Sequence, residues 1–553
     1  AVAVNLLGTK IDVQGLNGQK KALEEAGAVV RMGNVASLEA ALTLAGWKVQ
    51  AVEVPPVPVA MPDDAVSGDF PGSQALLKAP RVLNVGLRRF AEDLHAEGHP
   101  VIHFDWRPVS EREKKLQQTL EFLNSVALTD GEYSSVDEAN AAVIARVRNG
   151  APYLEAVVPA VSVLPELDGY TLLHAGPPIR WEEMTSPMQG SCIGAALFEE
   201  WAQDEQSARA LFEAGKVRFL PCNEMGFVGP MGGITSAHMP VLKVLNRTYG
   251  NVAYCTLNEG IGAVLRFGAY GPEVIERLRF IRDTLGPTLD KALQTMPDGL
   301  PLNTLIGKAI CMGDEFHQRN IAASLVFLKE MAPTITTLDI PEREKTEVIR
   351  FLAETEQFFL NVMMAAAKSV MDAAAAIRQG TVVTVMSRNG KDFGIWMSGT
   401  GRQWFNGPVN TPVGLYFSGY SPEDANPDMG DSAITETFGV GGMAMIAAPA
   451  VTRYVGGSGF PGALEISNRM SEISISHNNN FQIPNWNFKG ICLGIDVRKV
   501  VETGILPVIN TGIAHIRAGV GQIGAGTVNP PMRCFEEALL AYARKLGYKE
   551  ETT

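Results

Sequence analysis

In the body of this 553-residue chain, between two apolar segments, runs SGTGRQWFNGPVNTPVGLYFSGYSPEDANPDMGDSAITET, residues 398–437, a stretch rich in the residues that interrupt helices and strands. Glycine takes backbone angles closed to other residues, proline withholds an N–H, and asparagine and aspartate bond their own backbone. Such a stretch does not build a regular layer, so a chain that keeps it inside a domain must fold it as a braced loop, and loops on a rigid frame commonly carry the site. A ligand-enclosing loop is the expectation; an Ω-loop that encloses only its own side chains satisfies the same composition.

A chain of 553 residues exceeds one hydrophobic core and divides into about three or four lobes. With 46% hydrophobic and 19% charged residues it reads as ordered and globular, and its 55 glycines imply many tight turns. The formal net charge of -13 argues against nucleic acid as the main partner, since phosphate-backbone affinity needs a basic face, but leaves room for a small anionic substrate at local arginines. The six cysteines, Cys192, Cys222, Cys255, Cys311, Cys492 and Cys534, lack close spacing, which suggests neither zinc nor a disulfide framework and fits reduced cytoplasmic thiols. No N-terminal stretch has the order of a signal peptide and no uninterrupted apolar run reaches membrane-spanning length, GVGGMAMIAAPAV at 439–451 coming nearest. The expected location is therefore cytoplasmic.

Periodicity and punctuation predict an α/β multidomain chain: Rossmann- or flavodoxin-like units, a mainly helical subdomain and a glycine-rich C-terminal α/β region. Residues 1–47 read as the end of a flavodoxin-like α/β unit, and 48–77, containing VPPVPVAMPDDAVSGDFPG, as a proline-rich linker. In 78–165, RVLNVGL, RRFAEDLHAEG and PVIHFDW give strand, helix and strand of a Rossmann-like domain, followed by two further helices. Residues 166–271 alternate short strands with glycine loops, 272–380 carry helix-period apolar positions, and 381–553 return to α/β, opening with a hairpin from TVVTVMSRNG and FGIWMSG.

Candidate chemistry gathers in four places. In MGDEFHQRN, Asp314, Glu315, His317, Arg319 and Asn320 crowd a helix start, able to hold an anion or divalent metal, or simply to cap the helix. SGTGRQWF sets Gly399, Gly401 and Arg402 after a strand, where amides and a guanidinium can cradle phosphate or carboxylate; an ordinary glycine turn fits as well. The carboxylates Glu423, Asp424, Asp428, Asp431 and Glu436 resemble oxygen ligands for magnesium without matching an EF-hand, or a loop braced by side-chain-to-backbone bonds. TGIAHIRAGVGQIGAG places His515 and Arg517 among small residues, the alternative being a satisfied core histidine. Asn258 in NEG and Asn389 in SRNG are candidate orienting amides. The absence of GxSxG, HExxH, kinase and CxxC patterns points away from covalent and zinc chemistry, towards electrostatic stabilisation of an anionic transition state.

Three strings carry a resemblance: VGPMGGITSAHMPV with GNVAYCTLNEGIGAVLRFGA and MGDEFHQRN; GLYFSGYSPEDANPDMGDSAITETFGVGGMAMIAAPAV; and GIDVRKVVETGILPVINTGIAHIRAGVGQIGAG. Over about 78–545 the chain resembles the YlbE/YahG family, which includes the AllG subunit of oxamate carbamoyltransferase. Separately, LLGTKIDVQGLNGQKKALEEAGAVVRMGNVASLEAALTLAG resembles the C-terminal tail of FdrA, a relative of the succinyl-CoA synthetases. The resemblance implies a carbamoyltransferase subunit that moves a carbamoyl group between carbamoyl phosphate and an oxamate- or oxalurate-like acid, in allantoin-type purine nitrogen catabolism. It implies as partners an FdrA-like subunit and a third subunit, in a hetero- and homo-oligomer. No cofactor is firmly expected, although carbamoyl phosphate or phosphate is a substrate and magnesium stays open. Arg402, Arg319 and Arg517, with Gly399 and Gly401, are expected at anions, His317 or His515 at proton transfer or oxyanion donation, and Asn258 and Asn389 at orientation. The alternatives are an acyl-CoA or acyl-phosphate ligase and a non-catalytic scaffold subunit.

Overall fold

Where an apolar strand, an amphipathic helix and a second apolar strand follow one another, the strands of the computed structural model pair in parallel, because the intervening helix supplies the crossover that parallel pairing needs. The structure describes residues 2–5, 16–31, 34–45, 82–85, 88–96, 98, 101–104, 111–454 and 458–549, and the linker expected at 48–77 lies outside them. Two compact units result, Ala1–Arg107 and Pro108–Thr553. In the first, Val2–Asn5 pairs with Ala28–Arg31 across helix Leu16–Glu25, and Val82–Val85 pairs with Val101–Phe104 across helix Arg88–Ala96.

The two helices read as completing the 78–165 domain, Glu111–Ser125 and Val136–Asn149, pack in the second unit instead. Their Leu116, Leu123, Val143 and Val147 share one core with Phe535 and Leu539 of the C-terminal helix Met532–Lys545. Helix Val136–Asn149 starts as its sequence predicts: Ser135 Oγ accepts from the Glu138 N–H at 3.2 Å, and Asp137 and Glu138 fill the acidic first turn.

Three sheets of the second unit matter for the site. A five-stranded sheet runs in the order Leu300–Pro301, Pro152–Pro159, Pro240–Asn246, Val252–Thr256, Phe227–Val228. A four-stranded sheet contains the expected hairpin, Val383–Asn389 with Asp392–Met397, between edge strands Phe405–Pro408 and Met429–Gly430. A three-stranded antiparallel sheet orders Val413–Tyr416, Gln522–Val528 and Ile509–Ala514.

The 398–437 stretch is therefore less irregular than its composition suggests. It lends short strands to two sheets and helix Ile434–Phe438 to the interior. Strand pairing uses backbone groups, so glycine-rich segments join a sheet once a partner edge is present, whatever their intrinsic preference.

Residues 272–380 are mostly helical, as expected. The apolar run from Glu342 onward breaks at Thr355 (φ -95°, ψ 78°) into Glu342–Glu354 and Phe358–Ala375. The latter packs against strands Pro240–Asn246 and Val252–Thr256 and helices Val136–Asn149 and Ile434–Phe438. Among the described residues it is the one helix long and apolar enough to cross a membrane, and it lies 89% buried inside the unit.

Candidate functional site

MGDEFHQRN folds around its own carboxylates. Asp314 accepts from the Ala323 N–H at 2.7 Å and so caps helix Ile321–Thr337 from upstream. Glu315 accepts from the N–H groups of His317, Gln318 and Arg319 at 3.2, 2.5 and 2.6 Å and from Asn510 Nδ2 at 2.9 Å. Directly after Glu315, Phe316 stands at φ +72°, a left-handed angle that a bulky residue holds only when its surroundings impose it; its ring is fully buried near Phe359. Burial pushes Asp314 up to about 6 and Glu315 up to about 7, the N–H donors and, for Glu315, the nearby His317 working against the rise.

This turn directs His317 inward, where it is 4% exposed. Its Nδ1 lies 2.8 and 2.9 Å from the two oxygens of Glu436. A carboxylate only accepts, so Nδ1 carries a proton and donates to Glu436, which leaves Nε2 outside the pair. Glu436 is itself held by N–H donors from Gly442 and Asn510 at 2.9 and 3.2 Å and by the Thr435 hydroxyl at 2.9 Å. Gly441, at φ +63°, is glycine because a Cβ there would stand 2.1 Å from a Glu436 oxygen.

His317 lines a cavity of about 30 Å³ together with Arg266, Gln318, Gln357, Ser432 and Gln522, over apolar walls that include Phe267 and Leu360. Helix Phe358–Ala375 meets the cavity at its N-terminal end through Gln357 and Leu360, and strands Ile509–Ala514 and Gln522–Val528 meet it through Gly512 and Gln522. Arg266 is 6% exposed; its Nη2 donates to the Gly260 carbonyl at 2.6 Å, while its Nη1 has no partner. Neighbouring Glu259 spends its oxygens on the N–H groups of Leu265 and Arg266. Ser432 is placed by Asp431, whose carboxylate gathers the N–H of Gly176 at 3.1 Å, the N–H of Gly229 at 3.0 Å, Asn223 Nδ2 at 2.7 Å and the Ser387 hydroxyl.

The acidic run thus serves as a brace, with buried Asp428 paired to Arg388 at 2.6 Å and accepting from Thr511 at 2.8 Å. Among the described residues no group of three or more His, Cys, Asp or Glu is arranged to hold a metal ion.

Of the sequence candidates, the structure brings only His317 to the cavity lining. Asn258 stands behind it, donating to the Gln357 carbonyl at 3.0 Å and to Asn361 at 2.8 Å. Arg319 reaches Asp314 at 3.4 Å. His515 is buried, its Nδ1 accepting from the Arg517 N–H at 2.8 Å and its Nε2 3.8 Å from Asp424, while Arg517 is exposed. Asn389 closes the hairpin, accepting from the N–H groups of Lys391 and Asp392 and donating to the Pro177 carbonyl. Gly399 and Gly401 belong to a turn whose N–H groups bond the carbonyls of Gly380 and Met397, and exposed Arg402 donates to the Glu224 carbonyl at 3.1 Å. The turn's amides are occupied, as in the plain-turn alternative. Arg266, Ser432, Gln357 and Gln522 were not singled out from sequence; an arginine inside the otherwise apolar AVLRFGA was the available signal.

A sequence profile described as "Oxamate carbamoyltransferase subunit AllG" matches residues 217–432. The curated protein "Oxamate carbamoyltransferase subunit AllG" of Escherichia coli (strain K12) is 58% identical over 416 residues, spanning 75% of this chain and 99% of that protein. The chain belongs to the AllG family. A second relative, "Uncharacterized protein YahG" of the same strain, is 41% identical over 476 residues, covering 86% of this chain and all of that one. Among solved structures, a conserved protein of unknown function from Enterococcus faecalis V583 is 44% identical with a TM-score of 0.73, covering 74% of this chain and 98% of its own. The AllG profile match takes in Arg266, His317 and Ser432, whereas Glu436 and Gln522 lie beyond its end.

Proposed function

We propose that this chain is a subunit of a carbamoyltransferase complex, acting between carbamoyl phosphate and an oxamate- or oxalurate-like acid. The observation that carries the reading is His317, oriented by Glu436 and lining a cavity shared with Arg266, Gln318 and Ser432, in a chain of the AllG family. In the direction of synthesis, the amide nitrogen of the acceptor bonds to the carbamoyl carbon, His317 Nε2 takes the N–H proton, and the C–O bond breaks with phosphate as leaving group. In reverse, a phosphate oxygen bonds to that carbon and the proton returns to the departing nitrogen. The Glu436 carboxylate supports the imidazolium that forms in between. Asn258 acts as a positioning residue through Gln357.

With this reading go an FdrA-like subunit and a third subunit as partners, a cytoplasmic place in allantoin-type nitrogen catabolism, and oxalurate as the substrate consumed. The parallel pairs of residues 1–107 fit flavodoxin- and Rossmann-like units, and the glycine-rich strands near the C-terminus a further α/β region. Arg402, Arg319 and Arg517 are proposed for anions or partners met at the surface, and His515 for an accessory proton site. Magnesium, if required, would enter with the phosphate substrate.

The test is phosphate-dependent formation of carbamoyl phosphate from oxalurate by the co-purified complex. Turnover that His317→Asn abolishes in an intact complex supports the reading. No turnover with oxalurate or related ureido acids, together with a phosphohistidine after nucleotide treatment, would replace it with the ligase alternative.

A further inference from the structure

Arg266 poses a problem that the fold leaves unsolved. A guanidinium carries five N–H donors and cannot shed its charge in a protein, so burying it without an anion is costly. Here it is 6% exposed, its guanidinium forms no ion pair within 4.0 Å among the described residues, Glu259 meeting only its backbone N–H at 3.2 Å, and Nη1 bonds to nothing. Other buried or nearly buried cations of this unit are matched: Arg388 by Asp428, Lys368 by Asp372 and Arg498 by Asp496. Around the same cavity Ser432 Oγ and the Gln318 side chain make no hydrogen bond within the described residues, and the N-terminal end of helix Phe358–Ala375 adds a partial positive charge. Glu259 offsets part of this charge through space, but its oxygens bond backbone N–H groups and leave Nη1 without an acceptor.

We propose that this cavity is an oxyanion subsite: Arg266 Nη1, with Ser432 and Gln318, holds an oxygen-bearing anion the size of phosphate or a carboxylate beside His317 Nε2. The inference deepens the carbamoyl-transfer reading and rests on it for the identity of the ligand, since both inorganic phosphate and the carboxylate of an amido acid have the required oxygens. The volume, about 30 Å³, suits an anionic head group and falls far short of the roughly 300–1,000 Å³ that enclose a nucleotide-sized ligand.

Calorimetry and thermal melting of the full chain, with inorganic phosphate in one arm and oxamate in the other, test the site without requiring turnover. The expected result is that at least one anion binds the unmodified chain and raises its Tm, and that Arg266→Gln weakens binding at least tenfold and removes the anion-dependent rise. Without added anion, Arg266→Gln should melt no lower than the parent, because an unmatched buried cation has been removed. His317→Asn should keep binding within about threefold. Absence of binding by both anions, or equal binding by Arg266→Gln, overturns the proposal, as does a large loss of Tm in Arg266→Gln without anion, which would mark the arginine as a structural member of the fold. Arg266-dependent anion binding in a complex that transfers no carbamoyl group would leave the subsite standing and remove the reaction assigned to it.

Discussion

His317 has one ring nitrogen committed to Glu436 and the other available to the cavity, an arrangement suited to moving one proton. Replacing it by asparagine is expected to lower turnover of the complex by about 10²–10⁴-fold, the usual weight of a positioned acid–base group, with little change in Tm; wild-type turnover would remove it from the chemistry. Gly441→Ala should act on the same pair indirectly. The added Cβ would stand 2.1 Å from a Glu436 oxygen at a left-handed backbone angle, so a loss of about 1–3 kcal/mol is expected in a denaturant melt, accompanied by lost activity. Glu315 carries the pH prediction. Its pKa is higher in the fold, about 7, than its ordinary 4.5, so the native state binds more protons between those values. Its contribution to stability is complete below about pH 4.5 and is lost as pH rises through about 7. Glu315→Gln should flatten the slope of Tm against pH over that window, and an unchanged slope would assign the effect to other groups. His317 could be singled out in MGDEFHQRN because the residues that orient its loop are its neighbours; Glu436, 119 positions away, could not be read as its partner.

At the scale of elements, helix Phe358–Ala375 sets the geometry of the unit. Its fully buried Lys368 donates to Asp372 at 2.7 Å and to the Asn223 carbonyl at 3.1 Å, and it lies over the Trp396 ring. Removing one partner of a buried pair costs about 3–5 kcal/mol, and Asp372 keeps 21% exposure, so Lys368→Ala is expected at the lower end of that range. A denaturant midpoint equal to the parent would show that the pair is dispensable. The helix was legible from its period, but its break at Thr355, which turns Gln357 into the cavity, was not. Apolar spacing reports which face is buried and is silent on where a chain must bend to meet a distant sheet. The 398–437 stretch shows the converse: turn-forming residues entered two sheets because partner edges from elsewhere in the chain were waiting for their backbone groups.

On the scale of the whole molecule, Pro108–Thr553 holds its own large core, with members from Leu116 to Ala543, and smaller buried clusters beside it. A fragment beginning at residue 108 is therefore expected to melt cooperatively within a few degrees of the matching transition in the full chain; a fragment without a thermal transition would show that this unit needs residues 1–107. The sequence by itself determined the mixed α/β class, the parallel β–α–β pairs of the first unit, the helical run at 272–380 and the family, because periodicity, capping and long distinctive strings are local properties. Only the tertiary structure decided which polar groups meet. Asp431, Glu315 and Glu436 each gather donors from segments far apart in the chain, and Arg266 is left with unused donors for the same reason. Burial and the pairing of charges depend on distance in space, and spacing along the sequence does not encode it.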